Sequence, residues 1–348
     1  MNIPNHIILA IESSCDDTGV SVVRGNTVLS NLVANQKVHS RFGGVVPELA
    51  SRAHQSNIIP TISLALEDAG ISPNEIDAVA YTNGPGLSGS LLVGASFAKS
   101  WAWSMGIPTV PVNHMRAHIL AHFLDDTKSP EFPFLCLTVS GGHTQIVRVE
   151  SPSEMEVIGT TLDDAAGEAF DKVAKLIGLP YPGGPLIDKY SSKGNHNRFI
   201  FNKSKVDNLN LSFSGFKTQV LRFLQKTMSS DPDFFSEENK QNLFDFCASI
   251  QHTIISMLME KLLLASEQTG INEIAIAGGV SANSGLRNKL EEMSISDGWN
   301  VFIPPLKYCT DNAAMVAMVG VFDLEEKRFG KLSDVPSPRL PDLRQSVK

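Results

Sequence analysis

Apolar and polar positions run in short, regular blocks from the N-terminus onward. Ile7 to Ile11 is a brief apolar run, followed by the polar stretch Glu12-Ser-Ser-Cys-Asp-Asp17 and the β-rich run Thr18 to Val23. Arg24-Gly-Asn26 makes a turn, and from Thr27 the chain extends again. This reads as strand, polar turn, strand, turn, strand. The same arrangement returns at Phe134 to Val139, Ser140-Gly-Gly142, Thr144 to Val149, a Ser-Pro-Ser turn, and Met155 to Gly159. A supersecondary unit repeated so far along the chain predicts two similar lobes.

Between the copies, helical periodicity predicts a helix over Pro47 to Ala69, with Pro60 placed to kink it. Asp77 to Tyr81 reads as a buried strand, Asn83-Gly-Pro-Gly86 as a turn, and Ser88 to Met105 as a second helix. Thr109 to Val112 is a short strand that delivers the chain to His114. Further on, Asp163 to Lys172 reads as a helix whose acidic first turn suits the helix dipole, and Tyr181-Pro-Gly-Gly-Pro185 as a loop. Leu243, Cys247, Ile250, Ile254 and Leu258 form a helical stripe that Gly270 is placed to cap. Glu273 to Ala277 is a strand leading into Gly278-Gly-Val-Ser-Ala-Asn283 and another helix. Asp311 is expected to open a last, wholly apolar helix, and the Pro-rich tail after Leu332 to be flexible. Strands alternating with helices in this manner predict an α/β fold.

Composition narrows the function. A net charge of −8 argues against a polyanion binder whose whole surface is basic, so any nucleic-acid contact must be a local patch. The candidate patch is Arg198 to Lys226, where Arg198, Lys203, Lys205, Lys217, Arg222 and Lys226 face only Asp207 among acids. Cys15, Cys136, Cys247 and Cys309 are far apart and form no C-x-x-C pair, which fits reduced thiols inside a cell. The N-terminus has no signal-peptide pattern, and Lys99 splits the longest apolar region, so a cytoplasmic protein without a membrane span is expected.

The candidate chemistry begins at His114 and His118. Residues four apart on a helix share a face at about 6 Å, so two imidazoles there can converge on one metal ion. His122 lies about 12 Å along the axis from His114 and cannot join the same ion. For a single histidine, a half-buried core position is the ordinary explanation; the pair at this spacing points to metal. Asp311 has the ordinary reading of a helix cap, and matters only if the fold carries it to the two histidines. Two His and one carboxylate with open positions is the arrangement of non-haem iron sites, with zinc also compatible.

Three glycine turns follow β-rich runs: Ser140-Gly-Gly142, Pro182-Gly-Gly184 and Gly278-Gly279. Turns without side chains let backbone N–H groups approach phosphate or ribose closely. No Walker lysine motif and no G-x-G-x-x-G is present, which disfavours P-loop and Rossmann sites. Asp16 and Asp17 lie where the first strand ends, and Asp171 and Asp188 flank the Pro-Gly-Gly-Pro loop; turn and cap roles compete with chemistry at each.

Taken together, these residues resemble the TsaD type of tRNA N6-adenosine threonylcarbamoyltransferase, once labelled a glycoprotein endopeptidase. The similarity runs nearly end to end through Glu12-Ser-Ser-Cys-Asp16, Gly43-Gly-Val-Val-Pro-Glu48, Asn83-Gly-Pro-Gly86, Asn113-His114 with His118, Val139-Ser-Gly-Gly-His143, Phe170-Asp-Lys172, Pro182-Gly-Gly-Pro185, Phe213-Ser-Gly215 with Lys217-Thr218, Gly278-Gly-Val-Ser-Ala-Asn283 and Cys309-Thr-Asp-Asn312. The resemblance implies an actin-like (ASKHA) two-lobed fold, with residues 1–125 as one lobe, 126–325 as the other and 326–348 packing on the first before becoming flexible. It implies one divalent metal per subunit, usually Fe(2+) with Zn as the alternative, on His114, His118 and Asp311. It implies a threonylcarbamoyl-AMP site on Val139, Ser140, Gly141, Gly142, His143, Asp171, Gly184, Asp188 and Asn283, and it makes Asp16 a candidate catalytic residue. The implied partners are tRNA and two smaller proteins, TsaB-like and TsaE-like. The implied reaction moves a threonylcarbamoyl group from threonylcarbamoyl-AMP to N6 of the adenosine next to the anticodon, in tRNAs reading codons that begin with A, and releases AMP.

Two positions depart from the family pattern. Arg116 stands where many members carry Glu between the metal histidines, and Asp17 where Glu is common. The first reverses a charge, and if the side chain faces the ion it weakens binding. Rival readings meet specific obstacles. A zincin needs H-E-x-x-H with Glu as base, whereas Met115, Arg116 and Ala117 lie between these histidines. A small-molecule kinase of the same fold needs neither the His-His-Asp set nor tRNA, and a subunit that only scaffolds has no use for intact metal and glycine motifs.

Overall fold

A computed structural model of the protein describes residues 3–36, 39, 42, 44–125, 128–340 and 343. Gly43 of the Gly43–Glu48 motif and the end of the C-terminal segment lie outside them. The chain divides into two compact units: residues 1–130 with 150–155 and 304–348, and residues 131–149 with 156–303.

The first unit is built on a mixed sheet of β1 (Ile7–Glu12), β2 (Thr18–Arg24), β3 (Thr27–Ala34), β4 (Ala78–Gly84) and β5 (Thr109–Asn113), in the order β3-β2-β1-β4-β5. The first three strands form an antiparallel meander, and β4 and β5 add in parallel. Side chains alternate across the sheet. Leu9, Ile11, Val79 and Tyr81 pack under α1 (Pro47–Ala69) and α2 (Ser88–Met105). Ile8 and Ala80 face α9 (Ala313–Glu325), where a Cβ on Gly320 would fall within 3.0 Å of both. Residues 313–323 of α9 are all buried, as an all-round apolar helix must be. Helix α1 runs through Pro60 without interruption.

The second unit repeats the plan. Strands β6 (Phe134–Val139), β7 (Thr144–Val149), β8 (Met155–Thr160), β9 (Glu273–Ala277) and β10 (Asn300–Phe302) lie in the order β10-β9-β6-β7-β8, which is the first sheet's order read from the other edge. Here too β6 pairs antiparallel with β7 and parallel with β9. The helices are α4 (Ala166–Leu176), α5 (Gly184–Ser191), α6 (Ser214–Ser230), α7 (Lys240–Thr269) and α8 (Ser284–Ser296). Helix α7 buries Cys247, Ile250, Ile254 and Leu258 and stops at Gly270, in the left-handed conformation.

Several expectations shift. The lobe boundaries implied by the resemblance put the last helix in the second lobe, but α9 belongs to the first unit, because its apolar surface is matched by the bare face of β1, β2 and β4. Asp311 does not cap it; the Asn312 side chain does, accepting from the Met315 N–H at 3.2 Å. Asp163 and Asp164 precede α4 rather than opening it. The resemblance implies a C-terminal segment that packs on the first lobe before becoming flexible, and the tail lies on the first unit as far as Leu340, where the Ser337 N–H donates to the Asn83 carbonyl at 2.8 Å.

Candidate metal centre and glycine turns

In the first unit, β5 ends at Asn113, whose side-chain oxygen accepts from the N–H groups of Met115 (2.9 Å) and Arg116 (3.1 Å) and so caps α3 (His114–Leu120). This cap turns the chain into a helix whose first residue is His114, and His118 follows one turn later. The rings stand 4.7 Å apart at 87°. Asp311, delivered just before α9, places one carboxylate oxygen 3.4 Å from His114 Nε2 and 3.1 Å from His118 Nε2. One ligand atom from each of the three lies within 4.8 Å of the others. His122 is buried nearby in sequence but is not in the group.

Glu12, the last residue of β1, completes the arrangement. Its carboxylate lies 3.1 Å from His114 Nδ1 and accepts from Thr82 Oγ1 and the Ser14 N–H, both at 2.5 Å. In the sequence Glu12 reads only as the start of a motif. The signal was available: it is a charge closing an apolar strand, and by alternation with Ile8 and Ala10 it points to the α9 face.

Burial pushes the Glu12 carboxyl up, but the charge and hydrogen bond of His114 pull it below its ordinary value. Burial likewise raises the Asp311 carboxyl, and His114 and then His118 hold it well below. Burial lowers the His114 imidazole, yet Asp311 and Glu12 together keep it well above its ordinary value. Two carboxylates facing two buried imidazoles thus demand compensating positive charge, which a proton or a divalent cation can supply.

The donor set fits a metal. Its two nitrogens and one carboxylate oxygen suit Fe or Zn, and separations of 3.1 and 3.4 Å are those of ligands about 2.1 Å from one centre. The Asp311 side chain keeps 37% exposure, leaving an open side. His114 also has the carboxylate partner on its far nitrogen that fixes a metal-binding tautomer. His118 Nδ1 is buried and has no partner among the described residues.

Arg116 does not face this group. Its guanidinium forms a bidentate pair with Asp323 of α9, at 2.6 and 2.7 Å, and donates to the Pro152 carbonyl at 2.7 Å. A residue two beyond His114 points away from a partner four beyond it. Asp16 and Asp17 lie in the turn before β2. Asp17 accepts from Asn35 Nδ2 at 2.8 Å, and Asp16 is outside the group of ligand atoms.

In the second unit the expected substrate residues gather around the end of β6. Ser140 to His143 is the β6–β7 turn; Ser140 Oγ accepts from the N–H groups of Gly142 (3.3 Å) and His143 (3.1 Å). Gly141 and Gly142 are exposed, and a Cβ on either would meet nothing within 4 Å. Packing therefore does not require glycine there, whereas close approach of a ligand to the backbone would. Gly278 is different: with φ +87°, its Cβ would fall 2.5 Å from the Val139 carbonyl, so only glycine brings the two turns together. Asp171 accepts from the N–H groups of Gly183 (2.8 Å) and Gly184 (3.0 Å). Asp188 accepts from the Ser284 N–H (3.0 Å) and Oγ (2.7 Å). Asn283 caps α8, accepting from Leu286 N–H at 3.0 Å, and donates to Gln251 Oε1 at 2.7 Å.

The basic segment is partly neutralised. Arg198 pairs with Asp245, Lys203 with Glu260 and Lys217 with Asp164. No such pair forms for Lys205, Arg222 or Lys226 among the described residues. No described helix is long and apolar enough to cross a membrane.

Comparison with known proteins adds to this geometry. The family model described as "TsaD: tRNA N6-adenosine threonylcarbamoyltransferase" matches residues 27–318. A protein of that name from Christiangramia forsetii is 57% identical over 328 residues, 94% of this chain and 95% of its own. One from Cytophaga hutchinsonii is 55% identical over 333 residues, 96% of each chain. Among solved structures, full-length HypF in a phosphate- and nucleotide-bound form superposes with a TM-score of 0.62 over 94% of this chain and 48% of its own. At 15% identity that likeness speaks for the fold alone.

Proposed function

We propose a working mechanism on one premise: the chain belongs to the TsaD family of tRNA N6-adenosine threonylcarbamoyltransferases, has their actin-like α/β fold, and is an acyltransferase that modifies tRNA. The donor is threonylcarbamoyl-AMP. The adenosine N6 attacks the carbonyl carbon of the mixed anhydride, the new N–C bond forms as the C–O bond to phosphate breaks, AMP leaves, and N6 gives up a proton. The acceptor is the adenosine next to the anticodon in tRNAs reading codons that begin with A.

The donor is already activated, so positioning and charge stabilisation carry the catalysis. His114, His118 and Asp311 would hold a divalent cation, Fe(2+) in preference to Zn, with Glu12 keeping His114 in the tautomer whose Nε2 is free to bind it. When bound, such an ion supplies a Lewis acid or template. Gly141 and Gly142 offer the backbone of the Ser140–His143 turn to phosphate. Asp171, Asp188 and Asn283 brace the neighbouring loops, with Val139, His143 and Gly184 completing the walls. Asp16 is left without a role in this scheme. The tRNA backbone meets Lys205, Arg222 and Lys226, and TsaB-like and TsaE-like proteins assist in the cytoplasm.

The observation that carries this reading is the convergence of His114, His118 and Asp311 in a chain so similar, end to end, to named members of the family. The test is mass analysis of nucleosides from tRNA incubated with the chain, threonine, bicarbonate, ATP and the partner proteins. Threonylcarbamoyladenosine should form, and should be lost when a chelator strips the protein. No modified nucleoside with metal and partners present would overturn it.

A further inference from the structure

Lys99 is a buried cation that the reaction does not use. It lies on α2 with 9% of its surface exposed. Its ammonium stands 5.6 Å from the centre of the Tyr81 ring and donates to the backbone carbonyl of Asp334, in the C-terminal segment. A buried ammonium without a partner is costly, so this bond holds the segment strongly. Its apolar side chains Leu332 and Val335 add little burial, being 60% and 74% exposed, and the Tyr81 hydroxyl and Asn83 Oδ1 are buried without hydrogen-bond partners among the described residues.

From Lys99 a short line of contacts reaches the metal centre within the first unit. Beyond Asp334, the Ser337 N–H donates to the Asn83 carbonyl at 2.8 Å, and the Pro338 carbonyl accepts from the Gly86 N–H at 3.2 Å. The loop so held is pressed on Ser14: a Cβ on Gly86 would lie 2.4 Å from the Ser14 carbonyl, which accepts from the Leu87 N–H at 2.7 Å. Ser14 in turn donates its N–H to Glu12 and places its hydroxyl 3.3 Å from His114 Nδ1.

We infer that residues 331–340 are a strap that seats the loop 83–87 on Ser14 and thereby positions Glu12 and His114, with Lys99 as the positioning residue that anchors it. This rests on the metal reading above. Releasing the strap frees the loop, and Ser14 then no longer fixes the carboxylate–imidazole pair. Changes behind a ligating histidine cost about 10–100-fold in metal affinity.

The test uses the full chain, stripped of metal and titrated with zinc, as parent, Lys99→Met, Lys99→Arg and Ser337→Pro. The zinc dissociation constant should rise about tenfold in Lys99→Met and Ser337→Pro and stay near the parent value in Lys99→Arg. Amide exchange at Ser14 and Leu87 should quicken in the same two variants, with or without zinc. Unchanged affinity and exchange in both overturns the strap. If the parent itself binds no zinc, the metal reading fails, and exchange alone decides the strap. Ser337→Pro decides if Lys99→Met does not fold.

Discussion

The two candidate clusters are built by opposite means. In the first unit, side chains from β1, α3 and Asp311 in the segment before α9 turn toward one another, and their charges balance only with added positive charge. In the second, the polar side chains are already bonded to nearby backbone: Ser140 to its own turn, Asp171 to Gly183 and Gly184, Asp188 to Ser284, and Asn283 to Leu286. The first is a set of ligands held by a scaffold. The second is a scaffold whose exposed product is a bare glycine turn. Residues of the same types therefore act differently: a carboxylate facing imidazoles can bind an ion, whereas one that accepts two N–H groups shapes a loop.

The largest effects should follow from removing the ligands. His114→Ala, His118→Ala and Asp311→Ala should each purify with little metal and lose at least about 100-fold in transfer, while His122→Ala keeps both; two remaining donors make too poor a site. Elemental analysis beside a nucleoside assay checks this, and metal loss confined to His122→Ala would dissolve the contrast between the clusters.

Arg116→Glu separates a structural charge from a site charge. Because the guanidinium is held by Asp323 and not by the ligands, the change should destabilise the fold by about 3–5 kcal/mol, the usual cost of breaking a buried pair, without tightening metal binding. Denaturant unfolding and zinc titration read the two quantities. Tighter zinc with unchanged stability would mean that Arg116 faces the site after all.

The smallest effect belongs to the second unit. Asn283→Ala removes the cap of α8 and should lower stability by about 1 kcal/mol, leaving zinc affinity as in the parent. A change in zinc affinity would show that the two clusters are not independent.

The chain's own pattern determined what depends on neighbours in sequence. Alternation and turn residues identified the repeated three-strand unit, helical spacing paired His114 with His118, and Gly270 marked the end of α7. Local rules even held the answer for Arg116, since a residue two beyond His114 cannot share the face of one four beyond it. Tertiary structure decided the rest. The bare face of β1, β2 and β4 drew α9 into the first unit, and with it Asp311 came to the histidines. Glu12 became their partner only when β4 and β5 aligned beside β1. The Pro-rich tail lacks a periodicity from which to read a partner, and its seat on Lys99 and the loop 83–87 depends on backbone groups that carry no residue signature. Contacts made by backbone atoms and by distant segments leave no local pattern, which is why they were legible only in the folded chain.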